Sequence, residues 1–177
     1  MKTRKASIPV ESAPPRTLAA ANTRLELDDF DRKILIELQQ NNLVSADQLG
    51  SKVGLSASAV QRRMKRMRDG GVISADVSVV EPDAVGRQLK VIVEVSLERE
   101  NLELFEAFKR RMRATPEVQQ CYYITGDGDF VLIITAADMA DYQRIIESVF
   151  FEDRNIKRFR TSVVLSSVKT SLAVPIE

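Results

Sequence analysis

The stretch from Ser45 to Ser56 leaves the chain fewer choices of fold than any other. Ser45-Ala46-Asp47-Gln48 has the Ser-x-x-Gln form of a capping box, in which the serine and glutamine side chains each satisfy an orphan amide of the other residue. A short helix therefore starts here, with Leu49 and Val53 turned inward. Gly54 can take the left-handed conformation that ends a helix at little steric cost, after which Leu55 points back to the core. Ser56 then caps a further helix whose apolar stripe is Val60, Met64 and Met67, and Gly70-Gly71 stops it. Local chemistry alone thus predicts two short helices joined by a glycine turn.

Upstream, Asp28 is placed to cap a helix carrying Phe30, Ile34, Leu35 and Leu38 at three-to-four-residue spacing, ended by Asn41-Asn42. The last of the three helices is edged with cations. Ser56, Ala57 and Ser58 in its first turn are small enough for close approach to a nucleic-acid backbone, and Gln61 and Arg62 have the donors and acceptors to read adenine and guanine edges. Arg63, Lys65, Arg66 and Arg68 are expected to neutralise phosphates, which supplies affinity and register without reading sequence. The formal net charge is only +1, but residues 1–80 hold 13 Lys and Arg against 9 Asp and Glu, whereas the remainder holds 13 against 16. A charge run by itself implies a solvated face; the preceding helix, capping box and glycine turn favour a recognition helix in the major groove of double-stranded DNA.

After the glycines, Val72-Ile73 and Val77–Val80 alternate as short strands, read as a wing and a linking strand, and Pro82 and Gly86 mark a boundary. Lys90–Val95 reads as a buried strand rich in β-branched residues. A helix is expected from Asn101 to Ala114 with Leu102, Phe105, Phe108 and Met112 on one face. The runs Val118–Thr125 and Phe130–Thr135 flank Gly126-Asp127-Gly128-Asp129, and Asp-Gly between apolar strands signals a tight hairpin whose two central residues take positive φ. Asp138 caps a helix with Tyr142, Ile145, Ile146 and Val149 inward, and Phe159–Ser167 is the last strand. The fold class is therefore α+β, an N-terminal winged helix-turn-helix plus a C-terminal ferredoxin-like βαββαβ domain. The expected divisions are a disordered tail over 1–25, a DNA-binding domain over 26–75, a linker strand over 76–88 and the ferredoxin-like domain over 89–177.

Histidine is absent, and Cys121 is the lone cysteine, set in an apolar run where it reads as a small buried hydrophobe. No nucleophile-base pair, metal-ligand cluster or phosphate-binding glycine loop is present, so neither catalytic residue, metal nor cofactor is expected. No apolar run reaches the ~20 residues of a membrane span, and a signal peptide's apolar segment is lacking, which predicts a cytoplasmic protein without a membrane partner.

Leu27-Asp28-Asp29-Phe30-Asp31, Val53-Gly54-Leu55-Ser56, Arg63 and Gly71-Val72-Ile73, followed by Pro82–Gly86 and Thr125-Gly126-Asp127-Gly128-Asp129, resemble in order and spacing the Lrp/AsnC family of bacterial and archaeal regulators. The resemblance implies a transcription regulator that dimerises through its C-terminal sheets, is often assembled into octamers, and binds an amino-acid effector where dimers meet. It places effector contacts at Tyr123, Thr125, Gly126, Asp127 and Asp129 and, near the end of the final strand, at Ser166. Asp127 would pair with a ligand ammonium. Where family members commonly have proline near the start of the third helix and an acidic pair near the end of the last strand, this chain has Ala57, Ala59 and Ser166-Ser167. Two rivals are a ligand-independent protein that organises the nucleoid, and an enzyme like the sirohaem decarboxylases, whose histidine-dependent chemistry this chain lacks the residues to perform.

Overall fold

The computed structural model describes residues 25–99, 101–151 and 153–177, so the tail expected over 1–25, with its Lys2, Arg4 and Lys5, lies outside the described residues except for Leu25. Leu25 itself packs against the helical core. Two units are present: the segment ending at Ser78 together with Thr170–Glu177, and Val79–Lys169.

The first unit holds α1 (Asp29–Gln40), α2 (Ala46–Val53) and α3 (Ala57–Asp69). Each starts where a side-chain oxygen accepts an orphan amide: Asp28 from Asp31, Ser45 from Gln48, Ser56 from Ala59. Asp28 and Ser45 both form complete capping boxes, and Gly54 ends α2 at φ 77°. Ile34, Leu35, Leu49, Val53, Val60 and Met67 are buried together. At about 1.5–3 kcal/mol for each fully buried side chain this is a small core, so polar contacts between the helices carry weight. Phe30, expected inward, is exposed, because Asp31 occupies the inward position in the first turn of α1.

The wing does not form. Residues 72–80 contain no strand; Val72 and Ile73 instead donate to the Met67 carbonyl at 2.8 and 3.1 Å, which folds their side chains onto the helical core. Val77, Val79 and Val80 remain exposed because no neighbouring backbone pairs with them among the described residues.

In the second unit a 3₁₀ turn over Pro82–Val85 precedes β1 (Leu89–Leu97), α4 (Leu102–Ala114), β2 (Val118–Tyr123), β3 (Phe130–Ala136), α5 (Met139–Ile146) and β4 (Ile156–Val163); α5 runs on into a π-turn over Glu147–Phe151. The sheet order β2-β3-β1-β4, antiparallel throughout, is the expected βαββαβ arrangement. Val91, Val93, Val95 and Leu97 alternate onto the face covered by Phe105, Phe108 and Met112 of α4 and Tyr142, Ile145 and Ile146 of α5. Leu102 is exposed in the first turn of α4, because Phe105, one turn on, already packs against Tyr123 and Phe130. The last strand both starts and closes earlier than expected, at Ile156 and Val163: Val163 pairs with Val91 and Val164 donates to Lys90, near the start of β1 at Leu89. Cys121 is exposed rather than buried, because β2 is an edge strand.

Candidate functional site

The DNA-facing candidates lie on α3, and the packing of that helix sorts them. Val60 and Met67 enter the core, which turns Ser58, Gln61, Arg62 and Lys65, spaced i, i+3, i+4 and i+7, onto one exposed stripe. Ser56 and Ala57 precede the stripe, with the Ser56 and Ser58 hydroxyls 3.2 Å apart. Among the described residues the Gln61 and Arg62 side chains make no hydrogen bond or ion pair, while Lys65 reaches Asp69 one turn on at 2.5 Å, both side chains mostly exposed.

Arg63 and Arg66 point elsewhere. Arg63, only 21% exposed, donates to Asp31 at 2.9 Å and to Asp28 at 2.7 Å, with its guanidinium 5.6 Å from the Phe30 ring centre. Arg66 donates to the other oxygen of Asp31, whose side chain is wholly buried. The Asp31 carboxylate thus bridges two guanidinium groups and also accepts the Asp28 amide at 3.2 Å in the capping box. The amide of Asp31, and after it Arg63, hold the Asp28 carboxyl below its ordinary range. Arg68 forms a two-pronged pair with Asp76 at 2.8 and 3.3 Å, which lowers the Asp76 carboxyl in turn. Three cations expected on phosphates are therefore engaged inside the first unit, and the exposed stripe is narrower than the sequence implied.

Two residues of this site were not singled out from sequence. Asp31 was legible in principle as a carboxylate one turn before Ile34 on the inward face of α1. Gly50 of α2 is buried because the Leu55 carbonyl comes so close that a Cβ there would lie 2.4 Å from its oxygen. The Leu55 amide meanwhile donates to the Gly50 carbonyl at 2.9 Å, so this glycine sets the tight turn together with Gly54.

The effector candidates cluster on the loop between β2 and β3. It is not a two-residue turn. Ile124 donates to the Asp129 carbonyl at 2.9 Å to close a longer loop, and positive φ occurs only at Gly126, at 133°. Gly128 serves a different need: a Cβ there would meet Glu94 Cγ at 2.6 Å, so glycine lets the loop lie against β1. Asp129 is a structural anchor, its amide donating to the Val95 carbonyl at 2.9 Å and its carboxylate accepting the Leu97 amide at 2.7 Å. Ser96 holds the Asp127 carbonyl at 3.4 Å and is itself reached by Arg158 Nε at 3.3 Å. Thr125 and Asp127 stay exposed, and the Asp127 carboxylate has no hydrogen bond or ion pair among the described residues. Tyr123 stands edge-on to Phe105 at 5.4 Å with Lys109 Nζ 5.6 Å from its ring centre.

Ser166 is not brought to this loop. The loop leaves the sheet where Tyr123 and Phe130 meet the Val95 end of β1, whereas β4 runs out at the Lys90 end. At ~3.3 Å per residue the five residue steps from Lys90 to Val95 separate the two ends by roughly 17 Å.

Residues 27–68 match the AsnC-type helix-turn-helix domain and residues 90–174 the Lrp/AsnC ligand binding domain. The chain is 50% identical over 153 residues, 86% of its length and 90% of the other's, to an uncharacterised HTH-type transcriptional regulator of Sinorhizobium fredii. It is 37% identical over 143 residues to the leucine-responsive regulatory protein of Haemophilus influenzae, covering 81% of this chain and 86% of that one. Its fold is similar to that of a Neisseria meningitidis transcriptional regulator in complex with L-methionine, with a TM-score of 0.79 and 29% identity over 85% of this chain and 97% of that one. Both domain matches, in the order the helices and sheet require, establish that the chain belongs to the Lrp/AsnC family of DNA-binding transcriptional regulators.

Proposed function

We propose that the β2–β3 loop binds the ammonium of a free α-amino acid, and that occupancy tunes how an oligomer of this chain engages its operator. One observation carries the reading: of the two loop aspartates, Asp129 is tied to the Leu97 amide, while the Asp127 carboxylate is exposed and unpaired among the described residues. The relatives point to the ligand class, since one is named leucine-responsive and another is in complex with L-methionine. Tyr123, Thr125 and the Gly126 backbone surround the carboxylate in sequence and supply an aromatic wall, a hydroxyl and an amide. Ser166 stands at the opposite end of its own sheet, so its contact with the same ligand comes from a second copy. The effector then sits between copies, in a dimer that assembles further toward an octamer in the cytoplasm, and the reading assigns the chain no reaction.

On the DNA side, Gln61 and Arg62 read base edges, Lys65 neutralises phosphate once it leaves Asp69, and Ser56, Ala57 and Ser58 let the backbone approach. Calorimetric titration of the twenty amino acids into wild type and Asp127→Ala tests the effector site. The wild type should bind at least one of them, L-leucine and L-methionine first, and the variant should lose about tenfold or more, as removal of a charge-assisted hydrogen bond does. Equal affinity in both proteins moves the site away from Asp127; no binding by wild type rejects the effector reading. An effector coupled to DNA binding should shift operator affinity about 5–150-fold, the range of ordinary allosteric coupling.

A further inference from the structure

Thr170–Glu177 returns to the unit that holds the three helices. Residues 170–177 pack with the three helices rather than with the sheet that precedes them, a placement the sequence did not suggest. Val174 is held by one side chain at both of its backbone groups: its amide donates to Gln39 Oε1 at 2.7 Å, and Gln39 Nε2 donates to its carbonyl at 3.1 Å. Just before it, the Ala173 amide donates to Ser171 Oγ at 3.1 Å. Two residues further on, Ile176 packs on the core formed by Ile34, Leu35, Leu49 and Val60. Terminal residues stay ordered only where contacts offset the entropy of fixing them, and here a paired backbone and a partly buried apolar side chain do so together.

What the segment holds is α1, the helix whose Asp31 grips Arg63 and Arg66 of α3. Gln39 lies in the last turn of α1 and Asp31 in its first, so the two ends of one helix connect Val174 to α3. We propose that Thr170–Glu177 is a strap that fixes α1 and, through Asp31, the orientation of α3, which makes Gln39 and Ile176 positioning residues for DNA binding although neither belongs to the exposed stripe. The strap also continues without a break from β4 through Ser166. The helical unit is thereby joined to the ligand-binding domain by two chain connections, the linker after Ser78 and the residues before Thr170. This second connection gives an occupied effector site a route to α3, a consequence that rests on the amino-acid reading above.

The test uses the full chain and three variants, Gln39→Ala, Ile176→Ser and Ile176→Val, with a fourth ending at Lys169. Amide exchange is followed at Val174 and along α1, and affinity is measured over a range of salt for a duplex selected from a random pool. In wild type the Val174 amide should exchange slowly; in Gln39→Ala it should exchange about tenfold faster or more, since its acceptor is gone. Ile176→Ser and the shortened chain should bind the duplex about fivefold more weakly with an unchanged salt slope, because no phosphate contact is removed, and Ile176→Val should restore affinity. A Val174 amide that exchanges at the free-peptide rate in wild type, or wild-type duplex affinity in the shortened chain, overturns the strap. If the shortened chain does not fold, Gln39→Ala decides the matter through the same exchange and affinity readouts. With L-methionine as probe, the variants should keep its calorimetric affinity and lose its effect on duplex binding; a persisting effect removes the coupling role. Failure of wild type to bind any amino acid rejects the effector reading and the coupling with it, while the ligand-free measurements still judge the positioning role.

Discussion

Replacing Arg63 with methionine separates a strut from a phosphate contact. The substitution keeps an unbranched side chain and removes the guanidinium, which bridges Asp31 and Asp28 and lies 5.6 Å from the Phe30 ring centre. Breaking a buried ion pair by deleting one partner costs about 3–5 kcal/mol, because the other charge is left without compensation. Asp31 is wholly buried, but Arg66 and the Asp28 amide remain on its oxygens and Arg63 keeps some solvent contact, so the cost falls below that range, to about 2–3 kcal/mol. At about 4–8 °C per kcal/mol for a small domain, the melting of the helical unit should fall by roughly 10–20 °C. Scanning calorimetry measures it, and amide exchange along α1 assigns the loss to that unit. Arg62→Ala is the control: its melting should stay within about 0.5 kcal/mol of wild type, while the slope of log affinity against log salt should shrink by about one phosphate contact. A double substitution, Asp31→Asn with Arg63→Met, should be less destabilising than the sum of the two single changes by about 1–3 kcal/mol. An Arg63→Met variant that melts like wild type and reduces the salt slope as Arg62→Ala does would place Arg63 on DNA instead of on α1.

Gly50→Ala should destabilise the helical unit by about 1–3 kcal/mol on thermal unfolding, since the 2.4 Å approach of a backbone oxygen outweighs alanine's better helix propensity; unchanged or raised stability would show that the turn relaxes freely. The carboxyls of Asp28 and Asp76 titrate below their ordinary values because of the Asp31 amide and the Arg68 pair respectively, so their contribution is present above the unfolded value of 3.8 and is lost as pH falls through the folded ones. Far-UV circular dichroism should therefore show acid unfolding below about pH 4, and Asp76→Asn should flatten the dependence. Cys121, though at the sheet edge, has its thiol pushed up to about 11 by desolvation, which Arg113 and Lys109 only partly oppose. At pH 8 its alkylation should be slower than that of a free thiol of pKa about 8.5 by on the order of a hundredfold; alkylation at the free-thiol rate would contradict the assigned environment.

Features whose partners lie within a few residues can be read from the chain alone. Asp28, Ser45, Ser56 and Asp138 cap their helices through amides three residues away, and Gly54 ends α2 by its own conformational freedom. The alternation of Val91, Val93 and Val95 and the spacing of Phe105, Phe108 and Met112 likewise announced which faces meet, because apolar periodicity depends only on the geometry of strand and helix. The tertiary structure decided whatever needed a partner distant in the chain. The spacing of Arg63 and Arg66 along α3 is local, but their ion pairs with Asp31, 32 and 35 residues away, exist only once α1 is folded against that helix. Gly128 looks like a turn former until Glu94 is laid against it, and Val77–Val80 looks like a strand although no backbone among the described residues comes alongside. Gln39 and Val174, 135 residues apart, carry no pattern at all. A side chain's local propensity is written in its neighbours, but the direction in which its charge or its backbone is satisfied is settled only when the rest of the chain has packed around it.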